Sequence, residues 1–300
     1  MQFFNSDKMY VDFIGKRRLF MMISALVIVV GIVALFVRGG LNYGIDFAGG
    51  TMVQVRFVKT VASDDIRHAL AAVDMGDASI QQFEGDKTHE FLIRVEETRS
   101  DLVGLSDEIK VVLDKAFGSE NVDIRRVEMV GPKVGKDLRR QGMLAIVYAL
   151  IGILIYVTVR FELRFALGAI VALAHDVMIT VGVFALLDKE FSLSILAALL
   201  AIVGYSLNDT IVVYDRIREN MKSGAKVDFN SNVNASINQT LSRTILTSLT
   251  TILVLISLFV LGGGVIHDFA FAMIVGVVVG TYSSIFIASP VVILMQPKKK

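Results

Sequence analysis

The chain has 300 residues, 54% of them hydrophobic and 20% charged, with a net charge of +1 and no cysteine. Soluble domains usually stay near about 45–50% apolar, so the excess has to sit away from water, and the near-neutral balance offers nucleic acid no basic footprint. Without cysteine there are no disulfides, thiolate metal sites or cysteine nucleophiles.

A bilayer crossing needs about 20 mainly apolar residues. The first such run is Leu19 to Val37, preceded by Lys16-Arg17-Arg18. It is longer than the h-region of a secretory signal, and no A-x-A cleavage site follows, so it reads as an uncleaved anchor. A polar region then extends from residue 38 to about 141. Thr51–Val58 is rich in β-formers. Ser63 is placed to cap a helix carrying Ile66, Leu70 and Val73 on one face. Ile80–Phe83 and Phe91–Val95 alternate as strands do, with Gly85-Asp86 as a turn between them. Ser100–Phe117 repeats apolar residues at helical spacing, Gly118 suits its stop, and Val122–Val130 is a last strand. The order β-α-β-β-α-β predicts a small α+β ferredoxin-like sandwich.

Pro132 and the glycines at 131 and 135 are expected to break the chain before the second membrane helix. The stretch from Gly131 to Asp137 is one residue short of a phosphate loop and has Asp137 where Ser or Thr is required, so it reads as a linker. Five further apolar runs follow, at about 142–159, 165–187, 192–214, 241–261 and 269–295, with a longer polar connection at 215–240. The predicted fold class is an α-helical polytopic membrane protein with six transmembrane helices. Its parts are a tail at 1–18, a first helix at 19–37, the ferredoxin-like domain at 38–141, a five-helix bundle at 142–295 and a tail at 296–300. Lys16, Arg17, Arg18, Arg160, Arg164, Arg216, Arg218, Lys222, Lys226 and Lys298-Lys299-Lys300 gather on one side, while the short loops of the other side hold only Lys189. That bias predicts both termini in the cytoplasm and an extracytoplasmic 38–141.

The four histidines show no metal-ligand spacing, and no nucleophile motif appears. The informative residues are ionisable groups inside apolar helices, where a charge costs at least ~2.5–3.5 kcal/mol and needs a partner or a task. Asp209 lies six residues before Asp215, about 9 Å along the fourth helix. Arg243 stands near the start of the antiparallel fifth helix, so the two are expected to meet. Either they form a structural salt bridge or they make a titratable proton site. Thr240, Thr244, Thr247 and Thr251 form a stripe beside Arg243, and Ser206 and Asn208 flank Asp209. Such hydroxyls line a wetted track or bond between helices. His175-Asp176, in mid-helix, reads equally as a second proton or polar site and as structure. Gly276 and Gly280, like Ala197, Ala201 and Gly204, predict close helix packing.

Three segments carry a family resemblance: Leu41 to Thr51 (LNYGIDFAGGT), Gly204 to Asn220 (GYSLNDTIVVYDRIREN) and Thr240 to Thr251 (TLSRTILTSLTT). Together they resemble the SecF branch of the SecD/SecF family of bacterial protein-export subunits, across nearly the whole chain. The resemblance implies the layout of half an RND-superfamily transporter and the bacterial inner membrane. It implies work with SecD, the SecYEG channel and YajC on an exported unfolded polypeptide, after the ATPase SecA has begun translocation. Its energy source would be the proton gradient, with no cofactor and no covalent catalysis. It places the family's membrane aspartate and arginine on Asp209 and Arg243. It places a glycine motif on Asp46, Gly49, Gly50 and Thr51, whose glycines fit a tight turn opening a strand. Asn208 and Thr247 remain polar candidates beside the pair. Two rival functions stay open: a proton-driven exporter of small molecules or lipids, and a stabiliser of the channel without coupling.

Overall fold

The computed structural model describes residues 10–76, 78–82, 89–95, 102–222, 228–262 and 264–296. The chain divides into two compact units, Tyr43–Met143 and Met1–Asn42 with Leu144–Lys300.

The smaller unit contains a short helix α2 (Ile45–Ala48), strand β1 (Gly50–Phe57), helix α3 (Ser63–Leu70), strands β2 (Ser79–Gln82) and β3 (His89–Val95), helix α4 (Leu102–Phe117) and strand β4 (Val122–Val130). The sheet order is β2-β3-β1-β4, and every neighbouring pair is antiparallel. That is the βαββαβ sandwich expected from the sequence. Alternation places Val53, Val55 and Phe57 of β1 on the face that receives the helices, with Val53 opposite Ile93 and Val55 opposite Phe91. Ile66 and Leu70 of α3 and Leu105, Ile109 and Leu113 of α4 close the same core, all essentially buried. The Phe57 ring meets those of Phe91 and Phe117 edge-on at 5.6 and 5.3 Å. A register shift against β4 between Gln54 and Val55 adds a local bulge.

Details differ from expectation. Ser63 is the first residue of α3 and caps nothing; Ala62 holds the cap position. The turn at Gly85-Asp86 lies outside the described residues. Gly118 ends α4 at φ +88°, with its N–H bonded to Asp114 O at 2.9 Å.

The larger unit holds α1 (Arg17–Val37), most of α5 (Pro132–Arg160), α6 (Leu163–Leu186), α7 (Leu193–Lys222), α8 (Phe229–Leu261) and α9 (Gly264–Ser283). A π-turn at Ser284–Ala288 continues α9 into α10 (Ser289–Leu294). Among the described residues six helices are long and apolar enough to cross a membrane. Helices α6, α7 and α9 to α10 are about half buried, whereas α1, α5 and α8 expose most of their apolar side chains. Water would not tolerate such surfaces, but lipid or a partner helix does. Helix α1 crosses α6 where Gly31 faces Gly182; a Cβ on Gly31 would come 2.9 Å from the Gly182 Cα.

Two breaks read from the sequence are absent. Pro132 starts α5 instead of interrupting the chain, because the first helical position has no N–H to lose. The stretch at 131–137 is therefore the junction of β4 and α5. The polar stretch 215–240 is largely helix, since α7 runs to Lys222 and α8 starts at Phe229. Its polar residues bond helix to helix: Asn220 Nδ2 donates to Ser236 Oγ and to Gln239 Oε1, both at 2.9 Å. Asp228 caps α8 through Asn230 N at 3.1 Å.

Ile109 is fully buried and Val111, two residues on, is 65% exposed. Ile109→Ala should destabilise the α/β unit by about 2–5 kcal/mol, and Val111→Ala by less than about 0.5 kcal/mol. Hydrogen exchange of the β1 and β3 amides reads both, and equal losses of protection would contradict the assigned face of α4.

Candidate functional site

Two carboxylates are buried among the membrane helices, and the structure treats them differently. Asp176 on α6 is 0% exposed. Its Oδ2 accepts hydrogen bonds from Ser206 Oγ of α7 at 2.5 Å and from Ser283 Oγ of α9 at 2.8 Å. Its Oδ1 lies 2.8 Å from His175 Nδ1, which donates because a carboxylate only accepts. Three donors from three helices leave this carboxylate satisfied without water.

Small residues make the convergence possible. A Cβ on Gly280 would fall 2.9 Å from the Ser206 Cβ, and one on Gly276 would collide with Ile202. Glycines at both positions bring α9 onto α7 so that Ser206 and Ser283 reach the same oxygen. The His175 ring stacks on Tyr282 of α9 at 6.0 Å. Tyr282 Oη donates to Phe20 O of α1 at 2.7 Å, so Ser24 Oγ, at 2.8 Å, donates to it. A polar chain thus joins α7, α6, α9 and α1.

Asp209 on α7 is 2% exposed. The hydrogen bond found for it comes from Ser248 Oγ of α8, at 3.5 Å, the far limit of such a bond. Ser248 Oγ also lies 2.7 Å from Thr281 Oγ1 of α9, whose own proton goes to Val277 O at 2.8 Å. One hydroxyl proton on Ser248 therefore serves two acceptors, and the nearer one is Thr281. Asp209 is buried yet poorly solvated by its neighbours, the reverse of Asp176.

The expected ion pair is not formed. Arg243 is close enough to act on Asp209 electrostatically, but its side chain is exposed and makes no salt bridge with it. The cause is helical phase. The buried stripe of α8 runs through Thr240, Thr244 and Ser248, leaving Arg243 on its flank. The threonine track also resolves differently. Thr240, Thr247 and Thr251 bond carbonyls of their own helix three or four residues back. Asn208, Ala197, Ala201 and Gly204 face outward on α7, so the last three do not pack helices within this chain. Ser206 serves Asp176, not Asp209. Ser248, Thr281 and Ser283 were not singled out from the sequence. Their signal was available: Ser248 continues the spacing of Thr240 and Thr244, and Thr281 to Ser284 is a run of four hydroxyls inside an apolar helix.

The remaining motif residues have structural surroundings. Tyr214 is buried between Phe161 and Phe165 and donates to Ala288 O beside the π-turn at 3.3 Å. Arg218 Nη1 donates to Arg160 O at 2.9 Å, and Arg160 pairs with Asp215 at 3.3 Å. Asp46 sits in the single turn of α2. Gly49 and Gly50 follow at φ +81° and +117°, and Thr51, the second residue of β1, is fully buried. A Cβ on Gly49 would lie 2.8 Å from the Pro132 Cα, so the backbone approach admits only glycine. Among the described residues no group of three His, Asp or Glu side chains is placed to hold a metal.

Comparison with known proteins then decides the family. The model described as "Protein export membrane protein SecD/SecF, C-terminal" matches residues 110–298, and that of the "SecD/SecF GG Motif" matches residues 33–61. The chain belongs to the SecD/SecF family. A protein translocase subunit SecF from Magnetococcus marinus is 54% identical over 96% of this chain and 93% of its own length. The SecF of Calditerrivibrio nitroreducens is 48% identical over 97% and 95%. Among solved structures, SecDF of Thermus thermophilus, described as a translocon-associated membrane protein, superposes with a TM-score of 0.86 at 40% identity. A SecDF in a super-membrane-facing form gives 0.70 at 39%. Each match covers nearly all of this chain (97% and 96%) but 39% of the solved SecDF chain. The stretch matched by the glycine-motif model includes Asp46 to Thr51, and the stretch matched by the export-protein model includes both buried carboxylates.

The difference in solvation predicts a difference in stability. Asp176→Ala strands the Ser206 hydroxyl and the His175 Nδ1–H and leaves Ser283 its 3.1 Å bond to Gly280 O, a loss of at least about 2 kcal/mol. Asp209→Asn gives up one long contact and should fold like the wild type. Thermal unfolding of the purified chain in detergent measures both, and an Asp176→Ala melting point equal to that of Asp209→Asn would contradict the assignment of roles.

Proposed function

We propose that the chain is the SecF-type half of a proton-driven protein-export unit, in which Asp209 carries the proton and Arg243 responds to its charge. The observation that carries this reading is the state of Asp209: buried among apolar helices, weakly donated to, and near an arginine that does not neutralise it. Such a carboxylate has little holding it in one charge state. Protonated, it donates to Ser248 and releases Arg243. Ionised, it draws Arg243 or the Ser248 hydroxyl inward. Either change alters the α7–α8 contact. Thr244 Oγ1 of α8 and Tyr205 Oη of α7 are buried without hydrogen-bond partners, so each is a polar atom a proton carrier can use.

The energy suffices for such a motor. One charge crossing 100 mV is worth ~2.3 kcal/mol, so a gradient of roughly 150–200 mV supplies on the order of 4 kcal/mol per proton. Reversing a two-state equilibrium from 1:99 to 99:1 takes about 5.5 kcal/mol. One proton biases the motion and two reverse it. The family's relatives are named translocase subunits and SecDF, which supports SecD as the partner helix bundle, in one chain or two. In this reading SecYEG and YajC are the neighbouring components, and the exported unfolded polypeptide is the load. Bonds in the load are neither made nor broken, no cofactor is required, and the gradient is the fuel. The termini lie in the cytoplasm of a bacterial inner membrane, and 38–141 lies outside.

Reporter fusions after Glu120 should be active outside the cytoplasm, and fusions after Lys222 inside; the opposite pattern would remove the layout. In inverted membrane vesicles with normal subunit levels, Asp209→Asn should abolish the part of export that depends on the proton gradient while leaving ATP-driven initiation intact. Arg243→Ala should do the same. If Asp209→Asn vesicles gain export from the gradient as wild type does, the proton is carried elsewhere.

A further inference from the structure

A cavity of about 600 Å³ opens beside the entry to α1, lined by Asp12, Arg17 and Arg18 from the N-terminal segment and by Asn230, Ser231 and Asn234 from α8. Its walls are fixed by hydrogen bonds. Asn234 Oδ1 accepts from Phe13 N at 2.9 Å and Ile14 N at 3.2 Å, and its Nδ2 donates to Val11 O at 3.0 Å. Asn238 bonds both the N–H and the carbonyl of Val11, each at 2.9 Å. Residues 11–14 are thereby strapped along α8, and Ile14 is buried in the core below. Among the described residues the lining holds one carboxylate, Asp12, whose Oδ1 accepts from Gly15 N at 2.8 Å, against the two arginines. Among the described residues neither Arg17 nor Arg18 takes part in an ion pair. Arg17 and Arg18 thus line one space with Asn230 and Ser231, which lie in the first turn of α8.

The setting selects the ligand. Arg18 begins a helical stripe that continues through Leu19, Met22, Ile23 and Leu26, which are 54%, 63%, 44% and 64% exposed. The cationic cavity thus sits at the head of an uncovered apolar face, as the head group and acyl chains of one lipid are arranged. Basic pockets between helices at the membrane surface suit anionic head groups. We infer that this cavity binds the phosphate of an anionic phospholipid, with Arg17 and Arg18 on the phosphate oxygens and the acyl chains along the exposed face of α1. The site is separate from Asp209, and its occupancy tethers the N-terminal strap and α8 to the membrane surface.

Native mass spectrometry of the full chain in detergent tests this, with phosphatidylglycerol and phosphatidylcholine supplied in equal amounts. Wild type should retain one phosphatidylglycerol in at least about tenfold preference. Arg17→Gln/Arg18→Gln should lose that preference, and Arg17→Lys/Arg18→Lys should keep part of it. Ser231→Asp should lose it too; an acid in the first turn supports the helix, so that loss is not unfolding. Lys222→Gln, a basic-residue change outside the cavity, should behave as wild type. Equal retention of phosphatidylcholine by wild type would overturn the proposal, as would a preference that survives the arginine or Ser231→Asp changes. Inorganic phosphate at millimolar concentration should leave the lipid bound; displacement by it would assign the cavity to a soluble phosphate and overturn the lipid assignment.

Discussion

A carboxylate inside a membrane helix has no water to solvate it, so the chain itself must supply the hydrogen bonds or leave the group unsettled. Asp176 and Asp209 are the two outcomes. Asp176 receives a histidine and two serines from three helices and acts as the pin of the bundle. Asp209 receives one long bond, from Ser248 at 3.5 Å, with Thr281 close by. The glycines at 276 and 280 and the hydroxyls from Thr281 to Ser284 are all arranged around this contrast. Ser284, the last of these hydroxyls, also begins the π-turn. Such turns recur at functional positions in helices, and here it places Ala288 O on Tyr214.

A pinned carboxylate beside a poised one is a sensible division of labour for a motor. In the proposed motor the α6–α7–α9 contact survives each cycle, held by a charge with three donors, and the α7–α8 contact is the one that changes, with the Ser248 hydroxyl lying between Thr281 and Asp209. On α9, Thr281 bonds the Ser248 hydroxyl beside Asp209, and Ser283, two residues on, bonds Asp176 itself. One SecDF of this family is solved in a form described as super-membrane-facing.

Much of the fold was legible because periodicity speaks directly about burial. Val122–Val130 was readable as a strand to the residue, and the sandwich followed from element order alone. Punctuation was less reliable. Pro132 looks like a breaker until β4 is seen to deliver the chain straight to the first position of a helix. The 215–240 stretch looks like a loop because Asn, Ser and Gln dominate it, yet those side chains satisfy one another between α7 and α8. The site was half legible. An aspartate in an apolar run announces itself, but its partner depends on the rotation of each helix about its axis. A turn of about 100° per residue puts Ser248 rather than Arg243 against Asp209, and Ser206 against Asp176. Those rotations are set by where glycine permits close approach, and a sequence states that only indirectly.

In the proposed mechanism Asp209 is the acid that gains and loses the proton. Infrared difference spectroscopy of the purified chain in lipid, stepped between high and low pH, reads protonated carboxyl groups in a dry environment directly. A carboxylic acid C=O band should appear on acidification, be lost in Asp209→Asn and persist in Asp176→Asn. A band that survives Asp209→Asn and vanishes in Asp176→Asn would reverse the roles of the two acids and contradict the mechanism.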